Sequence, residues 1–255
     1  MMEIERAIEH QKAGQLQQAE AIYRRILARE PDNPQALHLL GVISLQEGRY
    51  RAAEKLIEQA LALKPDYAEA YNNLGLVLQD QGRMQDAATA FHRALALTPA
   101  DPEILINLGN VSRILGDLGD AAAAYEQALA VAPDLALAHS NLGATYMAQG
   151  AHDEAIVCFR QALALDTNYA DAHSNLFQAM HYAPGFDAEA LYTEARRWAT
   201  AHTEALTAQA PAHRNERSPN RRLRIGYVSS DLRQHPVGRF RWLLQHRGRA
   251  VQSYS

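Results

Sequence analysis

One cysteine, Cys158, is all that the 255-residue sequence contains, so no disulfide can close within the chain and a reducing compartment fits. Its place beside Phe159, in a stretch of helical spacing, reads as a buried structural thiol rather than a nucleophile. The N-terminus, Met-Met-Glu-Ile-Glu-Arg, lacks both a basic segment and an apolar one of the secretory kind, and no uninterrupted apolar run is long enough to cross a bilayer. A cytoplasmic protein without membrane contact is expected. Acidic residues nearly vanish from Ala212 onward, where ten arginines face only Glu216 and Asp231. That end carries about +8 and leaves about -12 for residues 1–211 out of a formal net charge of -4, so two differently charged regions are joined.

What the sequence has in quantity is alanine and leucine, within a hydrophobic fraction of 47%, ample for a helical core. Small and turn residues recur with one 34-residue period. Gly41, Gly75, Gly109 and Gly143 hold one phase, and Gly14, Gly48, Gly82, Gly116 and Gly150 a second. Ala19, Ala53, Ala87, Ala121 and Ala155 hold a third, and Pro31, Pro65, Pro99 and Pro133 close the unit. Tyr71 to Pro99 shows the beat in full, and it fits two antiparallel helices, A and B. The glycine after leucine removes a side chain where helix B crosses helix A. Tyr23, Phe91, Tyr125 and Phe159, with Ile57 as the aliphatic substitute, fill the space beside it. The second glycine ends helix A in a left-handed conformation, and the proline stops helix B. A lone hairpin cannot bury both apolar faces, so the units are expected to stack into a curved solenoid with one concave groove.

The period and the pattern His139-x-x-Leu142-Gly143-x-x-Tyr146 followed by Ala155-x-x-x-Phe159 resemble tetratricopeptide-repeat (TPR) proteins. The resemblance implies an all-α solenoid, a right-handed superhelix of helical hairpins, over residues 1–183: repeats at 1–33, 34–67, 68–101, 102–135 and 136–169, and a partial one at 170–183. In the first repeat Ala7 holds the glycine phase and helix A is short at its start. In the sixth, Phe177 replaces the glycine and Pro184-Gly185 ends the helix. Asp187 can cap a further helix, and Leu191, Ala195 and Trp198 recur at helical spacing, so residues 184–207 are expected to cover the open end. Residues 208–222 read as a linker.

After the linker, Leu223-Arg-Ile-Gly-Tyr-Val-Ser-Ser-Asp231 reads as a strand feeding a loop. This run, followed by His235-Pro236 and preceded by Arg196-Arg197-Trp198, resembles the junction and catalytic start of O-linked N-acetylglucosamine transferases, the family 41 glycosyltransferases. The resemblance implies that residues 223–255 are the incomplete start of an α/β lobe of GT-B type. It places His235 in the active site near the acceptor, weighed here against an inert loop histidine. It also implies transfer of N-acetylglucosamine from UDP-GlcNAc to Ser or Thr hydroxyls. UDP-GlcNAc would be a donor substrate rather than a resident cofactor, and no residue of this chain is assigned to it. A chain of this length is expected to be inactive by itself.

The second candidate site is a row. Asn73, Asn107, Asn141 and Asn175 each precede the Leu-Gly or Leu-Phe of helix A by one residue, with Leu39 breaking the row in the second repeat. A carboxamide offers a donor and an acceptor, so such a row can pair with the backbone of an extended peptide regardless of its side chains. The transferases have an asparagine ladder that these four match by position. The competing reading is that the amides satisfy neighbouring turns or face solvent. The residues just before the row, His38, Asn72, Ile106, Ser140 and Ser174, offer no cationic clamp for a terminal carboxylate. His139 and His173 stand where the repeat wants an aromatic and are read as packing rings, not as ligands of one metal. The arginine-rich end lacks a recognised nucleic-acid motif and is read as a solvated tail. Protein or peptide clients in the groove are the expected partners, and the expected function is a protein-binding scaffold.

Overall fold

In the computed structural model of the chain, residues 2–203 are described, and they lie within one compact unit. Among them every regular element is helical, twelve helices in six antiparallel hairpins and no strand. The pairs are α1 (Met2–Lys12) with α2 (Leu16–Arg29), α3 (Pro34–Gln46) with α4 (Tyr50–Leu63), and α5 (Ala68–Asp80) with α6 (Met84–Leu97). They continue with α7 (Pro102–Leu115) and α8 (Leu118–Val131), α9 (Ala136–Gln149) and α10 (His152–Leu165), and α11 (Ala170–Tyr182) and α12 (Ala188–His202). The strand at Leu223 and the site of His235 lie outside the described residues.

The start and stop signals act through identifiable bonds. Asn33 and Asp101 cap α3 and α7, each followed by proline at the first helical position, where the missing N–H costs nothing. Asp101 Oδ1 accepts from the amides of Glu103 and Ile104 at 2.9 and 3.3 Å. Asp187 Oδ1 accepts from the Ala190 amide at 2.8 Å and so starts α12. Gly82, between α5 and α6, has φ +78°, a conformation that a Cβ would strain. Where the fifth repeat lacks its proline, Asp166 Oδ1 accepts from the Asn168 amide at 2.9 Å and turns the chain instead.

The core is one seam of alanines and rings repeated down the stack. Tyr23, Ile57, Phe91, Tyr125 and Phe159 are all fully buried. At Gly75 a Cβ would lie 2.5 Å from Cε1 of Phe91, so glycine is what lets the B-helix ring lie across the A-helix backbone. The same relation joins Gly109 to Tyr125 and Gly143 to Phe159. Cys158 is buried in the seam, and burial pushes its thiol up to about 11, which removes it as a nucleophile.

The last hairpin is built differently. Phe177 occupies the phase that glycine holds elsewhere, so α12 is not drawn in as the other B helices are. The only buried residue of α12 is a carboxylate, Glu194. His173, on α11, bonds Glu194 Oε1 through Nε2 at 2.9 Å and His202 through Nδ1 at 3.0 Å. The ring of His173 is buried and packs edge-on against His202, in line with its reading as a packing ring, and it also sits inside a polar chain that ties α12 to α11. His139, in the same phase, is partly buried and bonds the Pro133 carbonyl at 3.0 Å.

Candidate functional site

The A helices α3, α5, α7, α9 and α11 touch one another in succession, whereas no B helix meets another B helix to the same extent. The A helices therefore line the inner side of the repeats, and the four asparagines of the row all lie on them. All four are half-buried.

Three of the four are not idle. Asn73 Nδ2 donates to Nε2 of His38 at 2.7 Å, Asn107 Nδ2 to Oδ1 of Asn72 at 3.1 Å, and Asn141 Nδ2 to Oδ1 of Asn110 at 3.0 Å. In every case the acceptor belongs to the preceding repeat, 35 or 31 residues back in the sequence. The rule behind the choice is visible in the residue types. His38 and Asn72, just before the row position, accept directly; in the next repeat that place is taken by Ile106, so Asn141 turns to Asn110, three residues after the row. Asn175 would face Ser140 and Ala144, and it forms no hydrogen bond among the described residues. Three of the amides thus fasten a repeat to the one before it, and the fourth, Asn175, does not.

The acceptors are fixed in turn. Asn110 Oδ1 also accepts from the Tyr125 hydroxyl at 2.7 Å, and burial raises that hydroxyl above its ordinary pKa. His38 is buried, and burial lowers its pKa to about 4, so the ring is neutral near pH 7. With Nε2 accepting from Asn73, Nδ1 carries the proton and donates to the Tyr67 hydroxyl at 2.9 Å. After these bonds, Asn73, Asn107 and Asn141 each keep one amide hydrogen and the carbonyl oxygen without a partner among the described residues.

Two features escaped the sequence reading. The first is Arg113, on α7, which lines an open pocket of about 380 Å³ together with Asn141, Asn175, Ser140 and Ser174. A cation is therefore present in the groove; it stands six residues after Asn107, on the next turns of the same helix, beyond the residues that precede the row. The second is the set of acceptors, His38, Asn72 and Asn110, whose signal was their polar character beside or three residues beyond the asparagines. Among the described residues no group of three His, Cys, Asp or Glu side chains is placed to hold a metal, and no helix is long and apolar enough to cross a membrane.

Tetratricopeptide-repeat family models match residues 4–50 and 44–102, a TPR model matches 109–150, and a further tetratricopeptide-repeat model matches 136–169. No curated protein matches the chain. Among solved structures, MamA is similar at 27% identity with a TM-score of 0.59, over 64% of this chain and 96% of MamA. PilW, a type IV pilus biogenesis factor, is similar in fold at 24% identity and a TM-score of 0.70, over 81% of this chain and 96% of its own. YrrB, a TPR protein with an unusual peptide-binding site, is similar in fold at 22% identity and a TM-score of 0.57, over 67% of this chain and 88% of its own. With hairpins, glycine phases and family models coinciding on one period, the chain belongs to the tetratricopeptide-repeat family.

Proposed function

We propose that the chain is a protein-interaction scaffold that holds an extended peptide segment of a client along its A-helix face, with Asn73, Asn107, Asn141 and Asn175 pairing with the peptide backbone. The observation that carries this reading is the division of labour within three of these amides, Asn73, Asn107 and Asn141. One N–H is committed to the preceding repeat, which sets the orientation of the group, and the remaining N–H and carbonyl oxygen match the C=O and N–H of an extended strand. An amide already held in place loses little rotamer freedom on binding, so each contact retains more of its gain. Partners of this fold class support the reading, YrrB being described with a peptide-binding site.

Fluorescence anisotropy with labelled Ser/Thr-containing extended peptides tests it. Replacing the four asparagines with alanine lowers affinity at least tenfold in a chain that still melts cooperatively; unchanged affinity removes the proposal. A finer reading is that the groove is the substrate-recognition part of a protein O-GlcNAc transferase-like enzyme, with His235 near the acceptor. It rests on the run Leu223 to Asp231 and on the ladder positions, and on nothing in the described residues beyond them. Calorimetric titration of the chain with UDP separates the two: micromolar binding favours the transferase reading, and no heat leaves the scaffold alone.

A further inference from the structure

The groove does not end as it runs. Between α11 and α12 lies an open, mostly apolar pocket of about 300 Å³ lined by Ser174, Phe177, Ala195 and Trp198. It exists because Phe177 stands in the glycine phase and keeps α12 from closing onto α11. Its neighbour is the polar pocket of Arg113, Asn141 and Asn175, and Ser174 lines both, so the two adjoin at that residue. Ser174 Oγ accepts from Trp198 Nε1 at 3.0 Å and donates to the Ala170 carbonyl at 2.9 Å, which holds the indole against the pocket with its polar edge satisfied. Arg113 makes no ion pair with a carboxylate among the described residues.

We infer that this end of the groove selects the client peptide: it takes one large apolar side chain, leucine or an aromatic, against Phe177 and Trp198, and one carboxylate at Arg113, three to five residues away. The inference rests on the groove reading above. Packed helices lie about 8–10 Å apart and an extended chain rises about 3.3 Å per residue, so one repeat corresponds to about three residues of bound peptide. Arg113 lies two A helices before Phe177, but it reaches forward into the pocket that contains Asn175, which brackets the separation. Asp171 lines the same polar pocket, so a single carboxylate fits and an acidic run does not. Arg113 is the cation that the carboxylate complements, and the occupant is a segment of another protein.

The test uses the full chain and two fluorescein-labelled peptides, Gly-Asp-Ser-Gly-Ser-Phe-Gly and the same peptide with serine in place of phenylalanine, each also made in reverse order. In the order that binds tighter, the phenylalanine peptide binds at least tenfold more tightly than its serine partner. Ala195→Leu, which fills the pocket, abolishes that preference; Arg113→Gln weakens both peptides. Equal binding of the two peptides to the unaltered chain overturns the inference and leaves the groove standing, as does a preference that survives Ala195→Leu in a folded variant. Binding of neither peptide in either order removes the groove reading and this inference with it.

Discussion

The third hairpin and the last one both begin on an A helix of 13 residues, yet they close in different ways. In α5 and α6 the ring of Phe91 lies on the bare backbone of Gly75, and the interface is a dry seam of alanines and one aromatic. In α11 and α12 the ring has moved to the glycine phase itself, as Phe177, and the interface is a polar chain of His173, Glu194 and His202 with an apolar pocket at its side. One exchange of ring for glycine thus separates a hairpin that is all structure from one that offers room to a ligand. The close-packed hairpins keep the asparagine row in register, and the open one supplies the place where a side chain of the client can enter.

The comparison can be broken most forcefully at the rings. Phe91→Ala removes a fully buried aromatic and costs about 3–5 kcal/mol, whereas Phe177→Ala costs less than half as much because its ring is only half-buried. Urea melts of the two variants check this, and equal losses would mean that the two hairpins are not differently built.

A second effect comes from His38, whose neutral ring receives Asn73. Its pKa in the folded chain is about 4 against 6.5 in the open chain, so between these values the unfolded state binds the extra proton. Stability is therefore complete above about pH 6.5 and falls as the pH is lowered toward 4, by at most about 3 kcal/mol from this group. Melts of the native chain and His38→Gln at pH 7.5 and 5 measure it: the variant shows the smaller loss on acidification.

The polar chain of the last hairpin gives an intermediate effect. Glu194→Ala leaves the buried His173 Nε2 without its partner and costs about 1–3 kcal/mol. The double change His173→Phe with Glu194→Leu recovers most of it, because the repeat's own preference at this phase is for an aromatic and an apolar pair needs no desolvated charge. Thermal melts of this double variant and of its two single changes give the coupling, and simple additivity would contradict the polar tether. Smallest is Tyr125→Phe, which removes one hydrogen bond to Asn110 and costs about 1 kcal/mol while leaving the ring in its seam.

Much of this was legible in the residues. The period placed the hairpins, because the requirement for glycine under a ring and glycine at a positive φ is local and absolute in type. Asp187 announced the start of α12 for the same reason: capping needs only a side-chain oxygen and two residues of chain. The row of asparagines was legible as positions but not as a network, since whether Asn141 bonds to Ile106's place or to Asn110 depends on which side chains the stacking brings alongside. Arg113 was missed because a long side chain reaches a pocket a whole repeat away, and spacing along one helix does not reveal that. The polar bonds of His173 were not legible because its partners, Glu194 and His202, lie on a helix outside the 34-residue pattern.

The central claim is that the A-helix amides hold a peptide backbone. Side-chain amide resonances of Asn107, Asn141 and Asn175, followed by nitrogen-15 NMR while an extended Ser/Thr peptide is titrated in, test it most directly. The account predicts saturable shifts at these amides, with the exposed B-helix ends at Leu63, Leu97, Val131 and Leu165 unmoved. Shifts confined to those B-helix ends, with the three amides unchanged, would contradict it.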